Sequence, residues 1–175
     1  MDILPSSLGA GKINPYLLKE KVSSLKKLYD YIIIDSAPTL NDDMLATMLA
    51  SDELLVVTSP DYPTLSATLH AVKVAKHRRT PISGLILNKV RGRRFELSIN
   101  EIEEAAGVPV LCTIKDDVSV PASIAKTKPT PLYRSWAKSS RAYRKLALQL
   151  AGYNDNKNLF TKVLSSLNLN RLKKY

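Results

Sequence analysis

The sequence predicts an α/β fold: a mostly parallel sheet with helices on both faces, followed by a C-terminal amphipathic helix. Two observations carry this reading. Short apolar runs rich in β-branched residues alternate with segments of helical pattern up to about residue 152, and repeated β-α-β order implies parallel strands joined by crossover helices. The run at 31–34 is apolar throughout rather than alternating, as in strands buried on both faces.

Strands are expected near residues 3–4, 31–35, 53–58, 82–88 and 108–114. Helices are expected near 15–28, 42–50, 63–77, 97–106, 118–126 and 139–150. Prolines mark the joints. Pro15 and Pro63 open helices, where the missing N–H costs nothing. Pro60, Pro81 and Pro109 stand at strand edges, because proline fits inside neither element. The run at 31–34 ends in Asp35, which such a strand would deliver to the carboxyl edge of the sheet, where open α/β sheets bind ligands. Asp35 equally suits a helix cap. After Ala151-Gly152 the pattern stops, 153–157 reads as a polar joint, and the chain divides into a domain over 1–152 and a tail over 153–175.

A chain of 175 residues can bury a real core, and one domain is the natural expectation. Its one cysteine, Cys112, can form no internal disulfide and offers no metal-ligand cluster, so a reducing cytoplasm fits. The start has no basic n-region and no long apolar run, so no signal peptide is expected. No stretch approaches the ~18 apolar residues of a membrane span. The net charge of +10 is uneven: residues 133–175 hold ten Lys or Arg and one acid, Asp155. A nearly neutral body thus carries a basic end, which suits an anionic partner or solubility alone.

Several segments share one order with a known family. Residues 29–38 (YDYIIIDSAP) end a strand in Asp35 and continue into a DxxP turn. Residues 52–60 (DELLVVTSP) form a strand closing in a Thr-x-Pro-like turn, and 85–90 (LILNKV) place Asn88 at a strand end. Residues 108–117 (VPVLCTIKDD) precede Lys128-Pro129, and Lys145-Leu146-Ala147 falls in the last helix. In this order the segments resemble the MinD/ParA family of deviant P-loop ATPases, from about Ile3 to Gly152. The resemblance implies a P-loop NTPase-like fold and binding of ATP with Mg²⁺. Asp35 would then serve the metal, and Asn88 and Asp117 would line the adenine pocket. Asn88 has amide chemistry that matches a base edge, or it pairs with nearby backbone. Asp117 also suits capping of the helix that follows, and Lys115 replaces a family proline.

The family's KGGxGK[ST] phosphate loop does not occur in this sequence. Gly9-Ala10-Gly11-Lys12-Ile13 is a false match: the first glycine of the motif would stand at Ser6, and Ile13 replaces the Mg²⁺-binding hydroxyl. The chain therefore resembles the C-terminal two-thirds of the family domain. The resemblance implies a homodimer or a partner chain supplying the N-terminal part. It also implies a role in cell division or in chromosome or plasmid partitioning, with ATPase activity unlooked-for in this chain alone and no catalytic residue assigned. The alternative is a non-catalytic DNA-binding or protein-interaction module that keeps the fold.

Arg91, Arg93 and Arg94 follow Asn88 at the ligand-side edge, and Arg141, Arg144 and Lys145 lie in the last helix. They are candidate contacts for nucleotide phosphates, a partner subunit or non-specific DNA, or simply solvated side chains. In the tail, Leu159, Phe160, Val163, Leu164 and Leu167 fall within one ~140° arc of a helix. Five basic groups and no acid follow from Lys157 onward. Such a helix either anchors at an anionic membrane surface, as in MinD proteins at the inner face of the cell membrane, or packs on its own domain.

Overall fold

Three strands form the sheet of the computed structural model, in the order β1 (Leu54–Thr58), β2 (Ile82–Val90), β3 (Val110–Lys115). The structure describes residues 2–4, 15–36 and 41–153. Before the sheet come α1 (Pro15–Leu25) and α2 (Asp42–Ala50); α3 (Tyr62–His77) joins β1 to β2, and α4 (Ile99–Ala106) joins β2 to β3. Then follow α5 (Ser119–Ala125), α6 (Thr130–Tyr133) and α7 (Lys138–Leu150). Hydrogen bonds at the strand ends show that the sheet is parallel. Leu54 N–H donates to Pro81 C=O (2.9 Å) and Leu85 N–H to Pro109 C=O (2.8 Å), linking starts to starts. Asp116 N–H donates to Val90 C=O (3.0 Å), linking end to end. The strands at 53–58, 82–88 and 108–114 and the helices are thus where the pattern puts them.

Internal packing divides the described residues into two compact units. One holds the chain up to Ile86 with Leu97–Val110, and the other holds Leu87–Glu96 with Leu111 onward. In the first unit, α3 starts at Asp61, whose carboxylate accepts the Thr64 N–H at 2.9 Å, satisfying an otherwise orphaned helix donor. Its buried face is Leu65, Thr68, Ala71, Val72 and Ala75, spaced three or four apart as one helical stripe requires. The buried Thr68 and Thr58 hydroxyls meet at 2.8 Å and tie α3 to the end of β1. Ser98 and Glu101 make a reciprocal capping box, so α4 begins at Ile99, two residues later than the apolar pattern suggests. It ends at Gly107, φ 58°, in the left-handed conformation glycine tolerates. Lys76 Nζ donates to the freed Ala106 and Gly107 carbonyls (3.1 and 3.3 Å).

The second unit uses small polar residues where the first uses aliphatics. Ser139 and Ser140 are fully buried, as is Ser123 nearly. The Ser123 and Thr130 hydroxyls lie 2.7 Å apart, and Ser140 Oγ donates to Arg134 C=O at 2.7 Å. Short side chains let neighbouring backbones approach, and each buried hydroxyl has its partner, as burial demands. The short α6, which periodicity does not reveal, is a four-residue turn started by Pro129 and Pro131.

Two expected strands are not formed. Residues 2–4 and 31–36 carry no ladder hydrogen bonds. Ile33 is 91% exposed, and Tyr31, Ile3 and Leu4 are also exposed. An apolar β-branched run has the propensity for a strand, but a strand exists only through a paired neighbour. Among the described residues, no strand pairs with this run.

These burials set the mutational response. Ile102→Ala, at a site with no exposed surface, should lower stability by about 2–5 kcal/mol in urea unfolding. Ile33→Ala should stay within about 0.5 kcal/mol of wild type; a comparable loss there would mean that 31–36 is packed after all.

Candidate functional site

Asn88 is half-buried near the carboxyl end of β2. Its Oδ1 accepts the Lys89 N–H at 2.9 Å, and Lys89 sits at φ 56°, a left-handed conformation unusual for a residue with a side chain. This local twist lies inside β2, which continues to Val90. The Asn88 Nδ2 donors are then what remain for a ligand.

The carboxyl ends of β2 and β3 are tied beside it. Arg91 Nε donates to Asp116 Oδ2 at 2.7 Å, on the surface. Asp117 serves two helix starts at once. Its Oδ1 accepts the Ser119 N–H (2.9 Å), and its Oδ2 accepts the Ser139 N–H (3.1 Å) and hydroxyl (3.0 Å). The Ser119 N–H, then the Ser139 N–H, hold its carboxyl well below the usual aspartate range against the opposing effect of burial. Asp117 therefore stays an anionic acceptor, and its chief visible work is to join α5 to α7.

Asp35 lies in the other unit, exposed, at the end of the 31–36 segment outside the sheet. The DxxP turn that should follow it continues into residues 37–40, outside the described residues. Among the described residues no three acidic, His or Cys groups cluster as a metal site would require. The residues present fit the base end of a nucleotide, through Asn88 Nδ2 and the remaining lone pairs of Asp117; they do not fit a triphosphate with its metal.

Arg93 and Arg94 are exposed. Arg141 and Lys145 are exposed one helical turn apart on α7, where i and i+4 share a face. Arg144 points elsewhere: its Nε donates to Ser140 C=O (3.3 Å) and its guanidinium also reaches the Ser135 carbonyl. Leu159, Phe160, Val163, Leu164 and Leu167 lie outside the described residues. No helix among the described residues is long and apolar enough to cross a membrane.

Motif reading misses Glu96. Its Oε1 accepts the Arg91 N–H (2.8 Å), and its Oε2 accepts those of Gly92 (2.6 Å) and Arg93 (3.1 Å). Desolvation raises its carboxyl, but the three N–H donors and the Arg91 charge outweigh that and leave it low. The sequence signal was an acid four residues after a glycine flanked by arginines.

Comparison with known proteins bears on the family and the fold. The family described as an AAA domain matches residues 5–81. An uncharacterized ATP-binding protein of Methanocaldococcus jannaschii is 33% identical over 154 residues, 86% of this chain and 58% of that protein. The cell division ATPase MinD of Pyrococcus furiosus superposes with a TM-score of 0.73 at 29% identity, over 79% of this chain and 59% of that one. The septum site-determining protein MinD of Pyrococcus horikoshii, solved with Mg-ADP, gives 0.72 at 28%, over 78% and 56%. The chain thus spans less than two thirds of the length of each.

The Asp117 tie has a pH signature. Its folded pKa lies below the unfolded value, so its stabilisation is present above the ordinary aspartate range and is lost as pH falls through the depressed value. Asp117→Asn should cost about 1–3 kcal/mol in urea unfolding at pH 7. The gap to wild type should shrink only below about pH 4, where unfolded aspartate begins to protonate. A gap that is constant from pH 7 to pH 2.5 would be inconsistent with this role.

Proposed function

We propose that this chain, which belongs to the MinD/ParA family of P-loop ATPases and spans part of that family's domain, forms the base-recognition end of an ATP-dependent protein of cell division or of chromosome or plasmid partitioning. The observation that carries this reading is the placement of Asn88 near the carboxyl end of β2 and of Asp117 just past the carboxyl end of the adjacent parallel strand β3. Asn88 offers donors to a base acceptor, and Asp117, kept ionised, offers lone pairs to an exocyclic amino group. ATP, when bound, supplies the phosphoryl chemistry. That chemistry depends on positioning and on charge stabilisation at the phosphates.

The phosphates and Mg²⁺ then need residues this sequence lacks, with Asp35 as its own contribution to the metal. A polypeptide that carries the phosphate loop is the partner we infer. Two features support a polypeptide docking on the first unit. Leu55 and Val57 leave one face of β1 exposed, and among the described residues no strand pairs with its outer edge. Ile33 and Tyr31 add exposed apolar surface from 31–36. Unpaired edges and apolar faces of this kind are ordinarily covered.

The chain alone should bind ATP–Mg no more tightly than adenosine by isothermal titration, with Asn88→Ala weakening both equally, and it should hydrolyse ATP at the buffer rate. Turnover that disappears in Asp35→Ala would overturn this reading.

A second reading is contact with DNA through exposed arginines, favoured by Arg93, Arg94, Arg141 and Lys145, all exposed. Binding through phosphates must weaken steeply with salt, because neutralised phosphates release counterions. Retention of labelled duplex should fall by about a hundredfold or more between 50 and 200 mM KCl, and the Arg93→Ala/Arg94→Ala pair should reduce the slope. Salt-independent retention, or none, would count against it.

A further inference from the structure

Glu96 occupies a place built for an anion. Three successive backbone N–H groups, those of Arg91, Gly92 and Arg93, converge on its carboxylate. Gly92 sits at φ 73°, and nothing lies within 4 Å of a Cβ added there. Glycine is therefore required by the turn and not by crowding. Successive N–H groups aimed at one point form a nest, the backbone arrangement that also holds phosphates. Beside the nest, the Arg91 side chain is paired with Asp116 at 2.7 Å. Arg93 and Arg94 are exposed, and Phe95 beside them is 78% exposed. No acidic residue other than Glu96 contacts the three N–H groups among the described residues.

A carboxylate fills such a nest with one charge and two oxygens. A phosphate presents the same pair of oxygens, with further acceptors for neighbouring arginines. Glu96 has the advantage of being tethered, which gives it a high effective concentration at the nest. An external phosphate must beat that tether, so Glu96 sets the threshold for anion binding at the loop.

We propose that residues 91–93 form a phosphate-binding nest latched by Glu96, and that release of the latch opens it to the phosphates of a nucleic-acid backbone. The identity of the source rests on the DNA reading above; the nest itself does not. Arg93, Arg94 and the exposed Phe95 favour nucleic acid, whose backbone and base faces suit basic and aromatic side chains together.

The test compares the full chain as wild type, Glu96→Ala and Glu104→Ala. The last removes the same charge from an exposed position of α4. Amide spectra recorded during titration with inorganic phosphate should show saturable shifts at Arg91, Gly92 and Arg93 in Glu96→Ala, and none in the other two. A labelled duplex followed by anisotropy at low salt should bind Glu96→Ala about tenfold more tightly than either. No saturable shift in Glu96→Ala, with the rest of its spectrum unchanged, overturns the nest. An equal gain in Glu104→Ala reduces the effect to general charge and overturns the latch. Phosphate shifts without duplex binding in any variant, or a gain for anionic phosphatidylserine vesicles instead of duplex, overturn nucleic acid as the source while the nest stands. If Glu96→Ala unfolds the loop, Glu96→Gln keeps a neutral acceptor and should give a smaller gain of the same kind; no gain in that folded variant overturns the latch.

Discussion

A parallel strand is stable only with neighbours along its edges and cover on its faces, and β2 is the strand here that has both. Its central residues Gly84, Leu85, Ile86 and Leu87 are buried, and β1 and β3 pair with its two edges. The crossover helices α3 and α4 exist to join these strands, and Asn88 is positioned because β2 is. Moving outward, the constraint is met less completely. Val57 of β1 is 57% exposed while Thr58 beside it is buried, so one face of that strand is covered and the other is not. At 31–36 the constraint fails, and an apolar run remains without a ladder.

A second constraint governs the acids. Asp61, Glu96, Glu101 and Asp117 all spend oxygens on backbone N–H groups of helix starts or turns. Glu103 likewise accepts the Val110 N–H at 2.6 Å, tying α4 to the start of β3. Such bonds satisfy donors that a helix or turn cannot satisfy itself, and they hold several carboxyls ionised. The same chemistry makes Asp117 a structural tie between two helix starts and makes Glu96 the partner of three loop N–H groups.

Local pattern made the strands at 54–58, 82–90 and 110–115 legible because apolar β-branched runs between turn residues have few other uses. The caps of α2 and α3 came from the structure: Asn41 accepts the Met44 N–H and Asp61 the Thr64 N–H. The order of these segments sufficed to identify the family. The Asp117–Ser139 bond joins residues 22 apart, and periodicity is silent on which distant N–H an acid will meet. The same holds for Arg144, which reads as a free cation until its guanidinium is seen on the Ser135 and Ser140 carbonyls.

By itself, then, the sequence determined the kind of each central element, the family, and the lack of a phosphate loop among these residues, because such properties follow from side-chain type and near-neighbour spacing. Only the tertiary structure decided that 31–36 has no partner strand among the described residues, that Asn88 turns its oxygen to Lys89, and that Glu96 fills the loop beside it. Pairing and hydrogen bonding depend on which groups arrive at the same place, and that is settled by packing across the chain rather than along it.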